Sequence, residues 1–157
     1  MPWRLLEFAR VRSALRANHP VFRRRRSFSG EPLVRRGQDG LPDIAWFTPK
    51  GVEMTEEDGG AGFAKSVAVF LNGHGIPDHD ARGQRVFDDS FLLCFNAHPE
   101  PIEFAVPLKE FGATWNLVVY TGREEETPAD EVPGGGALTV DAHTAVVLQA
   151  PDGCSAG

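Results

Sequence analysis

The chain has 157 residues, of which 41% are hydrophobic and 24% are charged, and its formal net charge is −6. This length suits one ordinary domain with a sizeable core, and this composition is typical of globular proteins in water. The sequence contains no run of about 18 apolar residues and does not start with a secretion signal, so we expect a cytoplasmic protein without a membrane-spanning helix.

The charges are distributed unevenly along the chain. Residues 1–36 carry ten Lys or Arg and two acidic residues, a net charge of +8, whereas residues 37–157 carry six and twenty, a net charge of −14. The run Arg23-Arg24-Arg25-Arg26 is of a kind that contacts nucleic acid. However, the acidic remainder would repel phosphates, and the aromatic pattern of an RNA-binding sheet is absent. We therefore expect no nucleic-acid partner and interpret the arginine run as a solvated connector.

Residues 3–18 are predicted to form an amphipathic helix. Leu5, Phe8, Val11 and Leu15 recur at spacings of three and four, which places them on one face. Pro20 ends the helix, because the residue before a proline avoids helical geometry. An isolated helix of this length is marginally stable in water, so its apolar face has to pack on its own domain, pair with another chain, or fray.

The rest of the chain is turn-rich up to residue 65 and then strand-rich. Short apolar or alternating runs, bounded by Gly, Pro, Asn or Asp, predict an antiparallel β-sandwich. The run Ser90–Phe95 is apolar on both faces and is predicted to be a central strand that is covered on both sides. The predicted strands are Asp43–Phe47, Ser66–Leu71, Ser90–Phe95, Ile102–Val106, Trp115–Thr121, Ala137–Val140 and Thr144–Leu148.

These elements predict a mainly β protein that is preceded by one helix. We assign residues 1–20 to the helix, 21–40 to a basic connector, 41–150 to the sandwich and 151–157 to a flexible tail. The three consecutive glycines at 134–136 are interpreted as a flexible hairpin connection, because they lack the Lys-Ser/Thr of a phosphate-binding loop. Cys94 lies inside an apolar run and is expected to act as a small hydrophobic residue that is not paired with Cys154.

One dense group of potential metal ligands occurs in the sequence. His74, Asp78 and His79 could together bind a divalent ion such as zinc. Their spacing matches no known closed site, and a Gly/Pro loop offers no groups that would orient the ligands. We therefore interpret this segment as a polar turn and expect neither a metal nor another cofactor.

Catalytic groups are not apparent in the sequence. Glycoside hydrolysis needs two carboxyl groups in different environments. Neighbouring carboxylates occur at 56–58, 88–89 and 124–126. We expect them to lie in loops, where all of them are solvated and have similar environments. No G-x-S-x-G motif is present, and His143 stands at the start of a strand, where a structural role is expected.

Exposed aromatic rings offer a second kind of site, because sugar rings stack on them. Trp46, Phe63 and Trp115 are the candidate platforms for an α-glucan. The alternative is that these rings belong to the core, as most strand aromatics do. Trp46 and Phe47 are consecutive in a strand and therefore point to opposite faces, so at most one of them lies in the core.

Several blocks of the sequence, taken in order, resemble one family. They are LLEF, HPVFRRRR, LPDIAWF, EMTEED, FAKS, VFLNG and DDSFLL followed by FNAH. Together they are similar to the carboxyl-terminal region of bacterial glycogen debranching enzymes, which are isoamylase-type members of the α-amylase family of glycoside hydrolases. The resemblance extends from about Trp3 to Leu148 and implies the β-sandwich C-terminal domain of that family.

This resemblance implies a role in glycogen breakdown, in which α-1,6 branch linkages are hydrolysed. In the family the catalytic barrel lies upstream of this region, and no part of this sequence matches its catalytic motifs. We therefore expect no catalytic residue in this chain and no activity of the chain alone. The helix then resembles the last helix of the barrel and needs a barrel or another chain as a partner. The alternatives are a stand-alone α-glucan-binding module and a protein-interaction domain.

Overall fold

The computed structural model describes residues 10, 13–14, 16–23, 42–54, 66–73, 81–84, 88–107, 114–121 and 131–150. Residues 10, 13–14 and 16–18 are α-helical, and a 3-10 turn follows at Pro20–Arg23. The predicted helix and its end before Pro20 are therefore confirmed for these residues. The apolar side chains Leu5, Phe8, Val11 and Leu15 lie outside the described residues. None of the described helices is long and apolar enough to cross a membrane.

Eight strands form two sheets in the described part of the chain, and all strand pairs there are antiparallel. The larger sheet has six strands and the smaller one has two, so the predicted mainly β sandwich is confirmed. The strands are β1 (Ile44–Phe47), β2 (Ser66–Leu71), β3 (Ser90–Asn96), β4 (Ile102–Ala105), β5 (Thr114–Tyr120), β6 (Glu131–Pro133), β7 (Ala137–Val140) and β8 (Thr144–Ala150). The order is β1-β2-β3-β8-β5-β6 in the large sheet and β4-β7 in the small one.

All seven predicted strands are present: two have the predicted bounds, and the ends of the other five shift by one or two residues. Strand β6 was not predicted from the sequence. It is three residues long and ends in Pro133, and it lies at the edge of the large sheet, where a proline costs no ladder hydrogen bond. Such a short run with alternating exposure carries too little periodicity to be recognised.

The main core lies between the two sheets. One face of the large sheet, which we call the inner face, packs against the small sheet. Phe104 and Val140 enter this core from the small sheet, and both are at most 1% exposed. From the large sheet the fully buried side chains of the core are Phe70, Leu92, Cys94, Trp115, Val146 and Leu148.

The opposite, outer face of the large sheet is covered over part of its area. Val21 and Phe22 of the 3-10 turn pack there against Val69, Leu71 and Phe91. The ring centroids of Phe22 and Phe91 are 4.6 Å apart. The segment that follows the helix therefore docks on the sandwich of the same chain.

The prediction that β3 is a central strand is confirmed, since it pairs with both β2 and β8. The prediction that both of its faces are covered is wrong at one end. On the outer face Phe91 is fully buried under the 3-10 turn, but Phe95, four residues further on, is 41% exposed.

The glycines at 134–136 do not connect a hairpin. Strand β6 before them pairs with β5, and β7 after them pairs with β4, so the chain changes sheets at this point. Gly135 has a φ of 82° and donates its N–H to the carbonyl oxygen of Pro107. A methyl group on Gly136 would contact the carbonyl oxygen of Pro133. Glycine is therefore needed for a tight corner between the two layers.

Candidate functional site

The predicted site residues are in very different environments. Trp46 is 47% exposed on the outer face, whereas Phe47 is buried in the main core, as the alternation of a strand requires. Trp115 is fully buried. Phe63 and the predicted ligands His74, Asp78 and His79 lie outside the described residues.

Trp115 cannot be a glucan platform, because none of its surface is accessible. Its ring packs edge-on against Phe70, with 6.3 Å between the centroids, inside the core between the sheets. The indole Nε1 is buried, and no hydrogen-bond partner is present for it in the described structure. Trp115 is therefore a core residue, and the sequence pattern could not distinguish its side from that of Trp46.

Trp46 lies at the end of an apolar row that crosses the outer face. The strand registers place Trp46 opposite Val69 and Val69 opposite Leu93. The same row continues through Val147 to Val119. The register of β5 shifts between Leu117 and Val119, which changes the alternation of its side chains, so that Val119 lines the outer face while Tyr120 packs in the core.

A groove of about 420 Å³ lies along this outer face. Arg16 of the helix and Phe22 of the 3-10 turn form part of its wall. Its floor comes from β3, β5 and β8, and it is mostly apolar. The other lining residues are Thr121, which follows β5, and five residues of the sheet: Leu93, Phe95, Val119, Ala145 and Val147.

A polar cluster joins the helix end to the start of β3. His19 Nδ1 lies 2.7 Å from Asp88 Oδ1, and Val21 donates its backbone N–H to Asp88 Oδ2 over 3.1 Å. Asp89 accepts a hydrogen bond from the side-chain amide of Gln149. His19, Asp88 and Asp89 offer ligand atoms within 4.8 Å of one another. Because these oxygens already accept protein hydrogen bonds, the arrangement is that of a structural clamp, and we assign no ion to it.

The sequence offered no signal for this cluster, since His19 and Asp88 are 69 positions apart. The neighbouring carboxylates of Asp88 and Asp89 accept hydrogen bonds from His19, Val21 and Gln149. The carboxylates at 56–58 and 124–126 lie outside the described residues. His143 is exposed, has a φ of 51° and donates its backbone N–H to His98, so its described role is that of a turn residue.

Asn96, in the block FNAH, makes several hydrogen bonds with its side chain. It is 3% exposed, and its amide nitrogen lies within 3.1 Å of the carbonyl oxygens of Glu100, Val140 and Asp141. Its amide oxygen accepts from the hydroxyl of Ser66 and from the backbone N–H of His98. The side chain thereby joins β2, β3 and the turn between β7 and β8.

Asn72 and Gly73, which end the block VFLNG, also form hydrogen bonds with distant segments of the chain. The Asn72 amide donates to the carbonyl oxygen of Pro42, and Gly73 donates its N–H to Ser90 Oγ. A methyl group on Gly73 would overlap the carbonyl oxygens of Asp88 and Asp89. Where the structure describes the blocks that carry the resemblance, Asn72, Gly73 and Asn96 thus contribute contacts of the scaffold.

Cys94 is fully buried in the main core and has a free thiol. Burial raises the pKa of this thiol from 9.0 to about 12, because the thiolate would lose its hydration. Its predicted role as a small hydrophobic residue is confirmed. Cys154 lies outside the described residues.

Three mycobacterial proteins, each named glycogen operon protein GlgX homolog, are 59% identical to this chain over 111 residues. They come from Mycobacterium bovis and from two strains of Mycobacterium tuberculosis. A protein of Oryza sativa subsp. japonica named isoamylase 2, chloroplastic, is 26% identical over 132 residues. These matches confirm the resemblance of the chain to part of a GlgX-type or isoamylase-type debranching enzyme. No family model matches it.

The match to the GlgX homologs covers 71% of this chain and 15% of each relative. For the isoamylase the two shares are 79% and 16%. The chain therefore corresponds to a small region of these GlgX-type proteins. In this chain the inner face of the large sheet is covered by the small sheet, and the apolar outer face is covered only in part. Polar side chains such as Asn96 form hydrogen bonds with the backbone.

Proposed function

We propose that this chain is the β-sandwich region of a glycogen debranching enzyme of the GlgX type, acting in the cytoplasm. Such an enzyme hydrolyses α-1,6 branch linkages in glycogen-derived dextrins, and this region stabilises the catalytic part without taking part in the chemistry. The observation that carries the proposal is the 59% identity to GlgX homologs over 111 residues.

The described side chains support a non-catalytic role. A glycosidase needs an acid and a second carboxylate that flank the sugar in a cleft, in different environments. Asp88 and Asp89, the neighbouring carboxylates in the described structure, accept hydrogen bonds from the helix end and from Gln149. Neither lines the apolar groove.

The test is a reducing-sugar assay with a branched limit dextrin, carried out on two proteins: the chain alone and a chimaera. The chain alone should release no sugar above the blank. A chimaera of the Mycobacterium tuberculosis relative, in which this chain replaces the matched segment, should hydrolyse the dextrin at a rate close to that of the unaltered relative. Turnover by the chain alone, or an inactive chimaera, would refute the proposal.

A second candidate function is α-glucan binding by the exposed ring of Trp46, which is 47% accessible. Affinity electrophoresis in a gel that contains glycogen tests it. Binding should retard the chain, and Trp46→Ala should abolish the retardation while the far-UV circular dichroism spectrum stays the same. A mobility that is equal in gels with and without glycogen would rule this candidate out.

A further inference from the structure

We propose that residues 16–23 form a strap that opens and closes over the outer face of the large sheet while the sandwich stays folded, and that Asp88 is its latch. The strap consists of the helix end and the 3-10 turn Pro20–Arg23. Its opening changes how much of the apolar outer face is exposed to water. This inference does not depend on the proposed function, because it concerns the chain by itself.

The strap covers a hydrophobic cluster that is separate from the main core. Val21 of the strap is 1% exposed and packs with Val69 and Leu71 of β2 and with Phe91 of β3. The main core lies on the other side of the large sheet, where it is closed by the small sheet. Lifting the strap therefore uncovers part of the outer face but opens no contact between the two sheets.

The strap is held to the sandwich by side-chain contacts and not by strand pairing. In the described structure it pairs with no strand of either sheet. Its hydrogen bonds from His19 Nδ1, over 2.7 Å, and from the Val21 N–H, over 3.1 Å, both end on the carboxylate of Asp88. The N–H of Phe22 donates to the carbonyl oxygen of His19, within the strap itself. A segment with few buried apolar contacts opens at a lower free energy than the whole domain, and here one carboxylate controls the polar part of the attachment.

The position of the strap next to the groove gives its opening a consequence for the surface. Arg16 and Phe22 form part of the groove wall, and Leu93 and Val147 line the groove beside them. Phe22, Leu93 and Val147 also pack against the cluster under the strap. Because the groove and the cluster share these residues, an open strap joins them into one longer apolar surface that includes Phe91. The strap thus acts as a cover for one end of the outer face.

Native-state hydrogen exchange, followed by NMR in 0 to 1 M urea, tests whether the strap opens separately. The amides of Val21 and Phe22 report on the strap, and the hydrogen-bonded amides of β3 and β8 report on the sandwich. We expect the two strap amides to exchange at least about tenfold faster than the sandwich amides. Their rates should rise less than about twofold in 1 M urea, because opening exposes little surface, whereas the sandwich rates should rise about tenfold. Equal rates with an equal urea dependence would overturn the proposal.

The latch is tested with Asp88→Asn, since an amide offers one acceptor oxygen where the carboxylate offers two. Exchange at Val21 and Phe22 should accelerate at least about tenfold and keep its weak urea dependence. Glu103→Gln makes the same chemical change at an exposed position of β4 and should leave both rates unaltered.

A second variant covers the case in which Asp88→Asn does not fold. Phe22→Ala removes a ring whose centroid lies 4.6 Å from that of Phe91, and it should accelerate the same two amides. It should also increase the fluorescence of the apolar dye 8-anilinonaphthalene-1-sulfonate, because more of the outer face is uncovered. Strap rates that stay unchanged in a folded Asp88→Asn or Phe22→Ala protein would overturn the proposal.

Discussion

The imidazole of His19 lies 2.7 Å from the carboxylate of Asp88, and the backbone N–H of Val21 donates to the same carboxylate. Asp88 also accepts the N–H of Asp89 over 2.8 Å. His19 in turn packs edge-on against Phe91, with 4.9 Å between the ring centroids. One aspartate therefore fixes the end of the helix to the first residues of β3, over the outer face of the large sheet.

Replacing Asp88 by alanine should destabilise the chain by about 3 kcal/mol, because several donors then lose a charged acceptor. Urea unfolding followed by tryptophan fluorescence measures this loss. Glu103→Ala is the control, since Glu103 is an exposed residue of β4. Equal midpoints for the two variants would show that the clamp contributes nothing to stability.

Gly73 should tolerate no side chain. Gly73→Ala introduces a methyl group that overlaps the carbonyl oxygens of Asp88 and Asp89, so we expect a loss of about 3 kcal/mol or more. Gly83→Ala is the matched comparison, because Gly83 has a φ of 77° but open space around it. Gly83→Ala should lower the free energy of unfolding by about 1 kcal/mol, from backbone strain alone. The prediction fails if thermal unfolding ranks the two variants in the opposite order.

Asn96→Asp should be strongly destabilising at neutral pH. The substitution places a carboxylate oxygen among the carbonyl oxygens of Glu100, Val140 and Asp141, which now accept from the amide. This environment raises the pKa of the introduced group above its unfolded value of about 3.9, since burial and nearby oxygens disfavour the charge. Stability should therefore be highest below about pH 4 and fall as pH rises through the folded pKa.

Urea unfolding of this variant at pH 4 and pH 7, each relative to the unaltered chain, tests the sign. We expect the free energy of unfolding of Asn96→Asp to be lower than that of the unaltered chain by more than about 3 kcal/mol at pH 7 and by less at pH 4. Asn116→Asp, on an exposed position of β5, should show little change at either pH. A loss that is independent of pH would contradict the assigned contacts.

The thiol of Cys94 should be unreactive in the folded chain. Its pKa is raised to about 12 and the residue is fully buried, so both the thiolate population and its access are minimal. In a Cys154→Ser background, iodoacetamide at pH 8 should label Cys94 only after denaturant is added. Labelling at the same rate with and without denaturant would mean that β3 opens readily.

The same thiol makes stability depend on pH in the alkaline range. The pKa of Cys94 is higher in the folded chain than its unfolded value of 9.0. The stability that the buried, protonated thiol contributes is therefore fully present below pH 9 and is lost between pH 9 and about 12. Over this range the unaltered chain should lose up to about 1.4 kcal/mol per pH unit relative to Cys94→Ala. Parallel pH profiles for the two proteins would contradict this.

Much of the fold could be predicted from local patterns. Seven of the strands are predictable because short apolar runs bounded by Gly, Pro or Asn favour strands through local interactions alone. The helix end followed from Pro20, and the opposite orientations of Trp46 and Phe47 followed from the alternation of a strand. Ordered sequence blocks indicated the resemblance to debranching enzymes, and residues of these blocks that the structure describes, such as Asn72 and Asn96, serve the scaffold.

The sequence by itself therefore determined most of the elements, their antiparallel β class and the resemblance to debranching enzymes. The tertiary structure decided which aromatic ring is exposed, because Trp46 and Trp115 have similar local patterns and differ only in what covers them. It also decided that the glycines at 134–136 turn between sheets and that Asp88 meets His19. These outcomes depend on pairing between distant segments, and the free energy of such contacts is not encoded in any short stretch of the chain.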